Sequence, residues 1–269
     1  MWEQVRDVVE LVKSHPDSQL MQYVTKTDGL STMVMYSMDS FYNSETGECK
    51  FDSEDFISLL ELCNTFPKEY DYDSGESEST ASLLRSGKVL LTSVNMSSFS
   101  DIQMYPALYG EPVNFIGFPT NSGSGSVVGF NNRFCVAAKS KNKEGAWAFI
   151  RSFLLPDNQN KLDWNLPVNK AVFEQKIADA MKEQDDNDGV TNSTWWYDDV
   201  EITIGPLTEE DAQAVRDMVY NATTEAAYDQ QLMNIITEEA EYYFNGEKSA
   251  QEIAGIIQSR AQLYIDENR

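Results

Sequence analysis

The sequence holds a single histidine, His15, and only three cysteines, Cys49, Cys63 and Cys135, in 269 residues. One imidazole leaves little on which to build a His-mediated nucleophilic triad, and its place beside Pro16 reads as a solvated helix end. Zinc sites need clustered Cys and His, and no two cysteines here form a CxxC pair. An odd, sparse set also argues against a disulfide framework. Cys63 and Cys135 fall in apolar runs and read as buried or idle thiols. Positive charge is scarce as well, with 20 Lys and Arg against 44 Asp and Glu, a formal net charge of −24. Such a chain has no field with which to grip nucleic acid or an anionic membrane nonspecifically. No apolar run approaches the roughly 18 residues of a membrane span, and mean hydropathy is −0.45. The opening Met1-Trp2-Glu3-Gln4 shows neither the basic nor the apolar region of an export signal. The 41% of apolar residues suffice for a substantial core in one large domain or two small ones.

Helical spacing of Trp2, Val5, Val8, Val9 and Val12 predicts a first helix, stopped by Pro16. Asp28-Gly29 predicts a turn, and residues 32–36 a short strand or a buried helix turn. Asp52 or Ser53 is placed to cap a helix carrying Phe56, Leu59, Leu60 and Cys63. The acidic stretch 70–79 reads as an exposed loop, followed by a short helix at 81–85 and a strand at 89–94. Further strands are predicted at 113–118 and 133–138. A helix from 143 to 155 carries Trp147, Ile150 and Leu154 on one stripe, which predicts burial of Trp147 between helix and sheet. Thr208–Asp211 and Ser249–Glu252 both fit a capping box, and apolar stripes through Leu232, Ile236 and Ala240 and through Ile253 and Ile257 mark the last helices. Strands alternating with helices predict an α/β protein with a largely parallel sheet.

Few segments carry chemistry. Residues 122–126 alternate Ser and Gly but lack the Gly-Lys-Ser/Thr ending of a phosphate loop, so they read as a pliable connection. Placing Gly189 of the Asp185–Gly189 run at the glycine of an EF-hand loop puts Gln184 and Trp195 at the first and last ligand positions, where carboxylates are required. Glu209-Glu210 fall in the first turn of a helix, where they favour its dipole. The aromatics are more informative. Trp195-Trp196-Tyr197 stands between a polar stretch and Asp198-Asp199, a poor setting for core burial. Phe99 follows a predicted strand in Asn95-Met96-Ser97-Ser98-Phe99. Rings beside amides, hydroxyls and carboxylates suit sugars, whose C–H faces stack while their hydroxyls take hydrogen bonds. Core or loop packing is the competing reading of the same residues.

Several segments, taken in order, carry a resemblance. They are WEQV (2–5), FYNSETGE (41–48) before FDSEDF (51–56), LRSGKV (84–89), GFPT (117–120), AKSKNKEGAW (138–147), LPVNK (166–170) and GEKSAQEI (246–253). Their order and spacing resemble extracellular solute-binding proteins of ABC importers, specifically the large carbohydrate-type family, over nearly the whole chain. The resemblance implies an α/β, two-lobed fold of the type II periplasmic-binding-protein kind, with the N-terminal portion of the first lobe missing. On that basis 1–125 belongs mainly to the second lobe, 126–160 supplies a strand and helix of the first, and 161–269 completes the second lobe and hinge. It implies a binder and not an enzyme, one that closes around a sugar or oligosaccharide by a hinge motion and delivers it to membrane permease subunits. The full-length form is expected to be extracellular and anchored as a lipoprotein, without cofactor, metal or nucleic acid. Self-association through the surface left by the missing lobe is a further expectation. The ligand-facing residues implied are Asn95, Ser98 and Phe99, Trp195, Trp196 and Tyr197, and Tyr228 and Asp229 at the start of a late helix. A carboxylate-dependent glycoside hydrolase and a protein-interaction module are the alternatives.

Overall fold

A computed structural model describes residues 2–70, 78–121, 124–130, 132–182, 193–197, 200–226 and 228–268. Along it run helices α1 (Trp2–Ser14), α2 (Lys26–Tyr36), α3 (Met38–Phe41), α4 (Glu54–Cys63), α5 (Thr80–Arg85) and α6 (Asp101–Tyr109). Strand β1 (Val127–Val128) follows, then α7 (Lys143–Ser152), α8 (Pro156–Gln159) and α9 (Lys170–Ala180). The chain continues with β2 (Ser193–Tyr197), β3 (Val200–Ile204), α10 (Glu209–Tyr220), β4 (Thr224–Glu225), α11 (Gln230–Phe244) and α12 (Ala250–Asn268). Two compact units result. One comprises Met1–Thr92, Asn114–Gly129 and Tyr220–Arg269, the other Ser93–Val113 and Phe130–Val219.

The first unit is built around aromatic packing. Ser53 accepts from the Phe56 amide at 3.3 Å and starts α4, which puts Phe56, Leu59, Leu60 and Cys63 into the core. Phe56 meets Phe41 and Phe51 edge-on, each at 5.2 Å between ring centroids, and Trp2 of α1 lies 5.3 Å from Phe41. The α11 and α12 stripes bury Leu232, Ile236, Ile253 and Ile257 in the same core. On α12, Gln258 and Gln262 stand one turn apart and act as a substitute strand for the chain at 47–51. Gln258 accepts from Phe51 N at 2.7 Å and donates to Cys49 O at 2.9 Å. Gln262 accepts from Cys49 N at 3.0 Å and donates to Gly47 O at 3.0 Å. These side-chain amides satisfy backbone groups that would otherwise be stranded beside the core. Burial pushes the Cys49 thiol up to about 11 and Cys63 higher still.

In the second unit β2 and β3 form an antiparallel hairpin with Trp196 opposite Glu201 and Tyr197 opposite Val200. Val200, Ile202 and Ile204 alternate inward, and α6 packs on β3. Val172, Phe173 and Ile177 of α9 are buried.

Both expected capping boxes form. Thr208 N donates to Asp211 at 3.0 Å while Asp211 N donates to the Thr208 hydroxyl at 3.1 Å. Ser249 and Glu252 exchange the same pair of bonds at 2.9 and 3.2 Å. Ser53 is the cap of α4, α1 ends before Pro16, and the stripes of α11 and α12 face the core as expected.

Several expectations are corrected. Asp28-Gly29 lies inside α2 and not in a turn, and of the two readings of residues 32–36 the helical one holds. Gly29 is there because a Cβ would stand 2.8 Å from the Phe66 ring, not because the chain turns. The stretch 89–94 bridges Gln19 at Val89 and donates from Leu90 N and Leu91 N to Gln19 O and Leu20 O at 3.1 and 2.9 Å without forming a longer strand, and 113–118 and 133–138 form no strand. An apolar run becomes a strand only where a neighbour supplies the ladder, and among the described residues these runs find at most a rung or two. The parallel pairing among those residues is the two-residue β1–β4 pair and the Gln19–Val89 bridge. Trp147 is 53% exposed, since α7 buries none of its residues, and Cys135 is exposed too. Residues 71–77, 122–123 and 185–189, which carry the acidic loop, part of the Ser/Gly connection and the rejected calcium loop, lie outside the described residues.

Two outcomes follow from this packing. Phe56→Ala should cost about 3–5 kcal/mol of stability, whereas Trp147→Ala should stay within about 0.5 kcal/mol, read from urea denaturation midpoints. Burial raises the Asp211 carboxyl, but hydrogen bonds from Gln103 and Thr208 outweigh it and leave the pKa lowered. At Glu252 the bonds from Ser249 lower it directly. Lowered carboxylates stabilise above their unfolded pKa of about 4 and lose that contribution as pH falls through the folded value. The Asp211→Asn, Glu252→Gln double variant should therefore lose less stability than the parent between about pH 5 and pH 2, followed by thermal denaturation.

Candidate functional site

Six of the eight residues singled out in the sequence lie in the second unit. The Asp101 carboxylate, 8% exposed, accepts from both Ser97 N and Ser98 N at 2.8 Å and so folds the 97–100 loop onto the start of α6. Inside that loop the hydroxyls of Ser98 and Ser100 bond each other at 2.9 Å. Asn95 is exposed. Phe99 turns toward the buried ring of Phe173, 5.5 Å away, so much of its face is already engaged.

Tyr105, one turn into α6, connects this loop to the hairpin. Burial pushes its phenol pKa up, the charges of Asp101 and Tyr197 add to that, and a hydrogen bond from the Asn95 backbone pulls it back. Tyr105 and Tyr109 also stack at 6.0 Å. On β2, Trp196 is 66% exposed and Tyr197 half exposed, while Thr194 bonds Thr203 across the hairpin at 3.1 Å. The Trp195 side chain, Asp198 and Asp199 lie outside the described residues. The unit thus gathers Asn95, Ser98, Tyr105 and Tyr197 around one helix and one hairpin. Tyr105 carried no sequence signal, because it sits between Met104 and Pro106 in a stretch with no helical periodicity.

Tyr228 and Asp229 belong to the first unit. Asp229 is the N-cap of α11, accepting from Gln231 N and Leu232 N at 3.0 Å each, and it also accepts from the Tyr264 hydroxyl. Tyr228 is exposed and donates to Gln230 at 2.8 Å. Asp229 therefore has a structural task that the sequence reading did not assign to it.

Trp164, 75% exposed, is a further exposed indole besides Trp196 and Trp147. Trp164 stands in Asp163-Trp164-Asn165, the same polar setting that drew attention to Trp195 and Trp196. Its neighbour Asn165 has φ +73° and donates its amide to Ser97 O at 2.9 Å.

His15 is exposed, with Nδ1 3.0 Å from the Leu11 carbonyl, a helix-end imidazole. Among the described residues no three His, Cys, Asp or Glu side chains are grouped to hold a metal ion. No helix among them is long and apolar enough to cross a membrane. An open hollow of about 450 Å³ in the first unit is lined by Glu238, Glu239, Tyr242 and Arg260, but Arg260 already pairs with both glutamates. None of the residues singled out lines it.

Residues 23–188 match the model of a protein family described as bacterial extracellular solute-binding protein. The matched stretch includes the 95–101 loop, α6 and Trp164, and stops short of the β2–β3 hairpin. No curated protein matches the chain. With well over half of the 269 residues covered and the order of its segments in keeping, the chain belongs to the bacterial extracellular solute-binding protein family.

Proposed function

We propose that this chain captures a saccharide outside the cell and delivers it to the permease subunits of an ABC importer, as a lipoprotein of two-lobed, type II architecture. Membership of the family supports solute capture for ABC transport. The sugar reading is carried by one observation. The second unit sets the half-exposed Tyr197 near Tyr105, which takes a hydrogen bond from the Asn95 backbone, and presents Trp196, 66% exposed, on the other face of β2. An exposed ring offers a stacking face to pyranose C–H bonds, and the surrounding amide and hydroxyl groups can exchange hydrogen bonds with sugar hydroxyls. Neutral solutes also suit a surface of net charge −24, which would repel anions. No catalysis is part of the reading. Glycoside hydrolysis needs two carboxyl groups facing each other across a scissile bond, and Glu209 and Glu210 are instead exposed neighbours in the first turn of α10.

Self-association is a second reading, favoured by a separate observation. Phe130, Phe134, Trp147, Phe149 and Phe153 are exposed, with Phe134 stacked on Phe153 at 4.9 Å. Residues 130–161 carry six basic against two acidic side chains in a chain of net charge −24. An apolar band of this size with opposite local charge is suited to a second, acidic copy of the chain.

Calorimetry with mono- and oligosaccharides tests the first reading. Trp195→Ala or Trp196→Ala should weaken the best sugar by about thirtyfold, roughly 2 kcal/mol, with circular dichroism unchanged. Unchanged affinity in both variants would make the pair structural. For the second, sedimentation should show species above 30.4 kDa that Phe149→Ser with Phe153→Ser returns to that mass. A parent that sediments at 30.4 kDa at every concentration would contradict it.

A further inference from the structure

The turn between α8 and α9 is held at each corner. Gln159, buried, donates to Phe153 O at 2.7 Å and accepts from Val168 N at 2.8 Å. Lys176 reaches back from α9 to Leu162 O at 2.8 Å. Asn169 caps α9 and donates to Leu154 O at 3.2 Å. The remaining corner, Asn165, takes a left-handed conformation at φ +73° and donates to Ser97 O at 2.9 Å. The result of this fastening is an indole, Trp164, that stays 75% exposed.

An exposed Trp on a slack loop is unremarked surface, since single apolar side chains are common there. This one differs in what its backbone is bonded to. Ser97 is the residue whose amide Asp101 holds, and Ser98 and Ser100 follow it with their hydroxyls bonded to each other. Phe99, the ring that the sequence offered for stacking at this loop, is engaged with Phe173. Phe99 keeps only part of its surface open, and the adjoining turn adds a largely exposed ring.

We propose that Trp164 is a ligand-contacting residue, a stacking platform for a pyranose ring whose hydroxyls are met by the Ser98–Ser100 loop. This assignment rests on the saccharide reading above and adds to it a residue on a different element from the β2–β3 hairpin. The backbone of the turn is fixed in advance, so binding has only the Trp164 side chain left to order there. The left-handed Asn165 contributes by setting the direction in which the turn leaves Trp164, a position that Asn tolerates better than most residues.

The test uses the full chain and a panel of glucose, maltose, cellobiose and xylobiose. The five tryptophans give separate indole N–H signals in a proton–nitrogen NMR spectrum, and Trp164→Phe identifies the one that belongs to Trp164. With a sugar that binds the parent, that signal should shift on titration. Trp164→Ala should raise Kd about tenfold or more, and Trp164→Phe, which keeps a ring, should stay within about threefold. Circular dichroism and the unshifted core methyl signals check that each variant is folded. Binding by the parent with a stationary Trp164 signal and an unchanged Kd in Trp164→Ala overturns the assignment and leaves the saccharide reading standing. Failure of every sugar in the panel to bind the parent overturns both.

Discussion

The Asp101 carboxylate holds the second unit's candidate site together. Two backbone amides, Ser97 N and Ser98 N, converge on one of its oxygens, and a buried carboxylate that lost them would be stranded. From that pair of bonds the rest follows in sequence. The Ser97 carbonyl is left facing Asn165, and the Ser98 hydroxyl facing Ser100. α6 starts in register to bring Tyr105 to the Asn95 backbone and to pack against β3. A single acidic side chain thus ties a loop to the helix that packs on β3, and through Ser97 to the turn at Asn165.

The two units contrast in how their apolar residues are used. In the first, Phe41, Phe51 and Phe56 are wholly buried, and the polar backbone at 47–51 is completed by Gln258 and Gln262. In the second, the amphipathic pattern of α7 is present in sequence yet none of its residues is buried. Burial of such a stripe would be worth about 25 cal/mol per Å², and leaving it open is a cost that an associating partner could remove. The local excess of Lys and Arg in this acidic chain gives the same band an electrostatic preference as well.

Much of the fold was legible in the sequence where the signal was local. Ser53, Thr208 and Ser249 announced their helices because a cap needs only its own next three residues. The stripes of α11 and α12 were legible for the same reason, since their period is written in consecutive residues. Strands were not, because 89–94, 113–118 and 133–138 have apolar runs but depend on partners elsewhere in the chain. Gly29 misled as a turn signal because its function, clearance for Phe66, is a tertiary contact. The exposure of Trp196 and Tyr197 was legible from their polar flanks, and Trp164 carried the same mark unread. Tyr105 and the capping role of Asp229 were visible only once the chain had folded.

The central claim, that the chain binds neutral sugars and not charged solutes, is tested most directly by ligand-induced thermal stabilisation. The full chain would be heated with saccharides, amino acids, short peptides and inorganic anions in turn. A ligand at a hundred times its Kd stabilises by about 2.7 kcal/mol, which for a protein of this size raises Tm by several degrees. The account predicts a saturable rise with one or more saccharides and none with the charged solutes. A rise confined to amino acids, peptides or anions would contradict it.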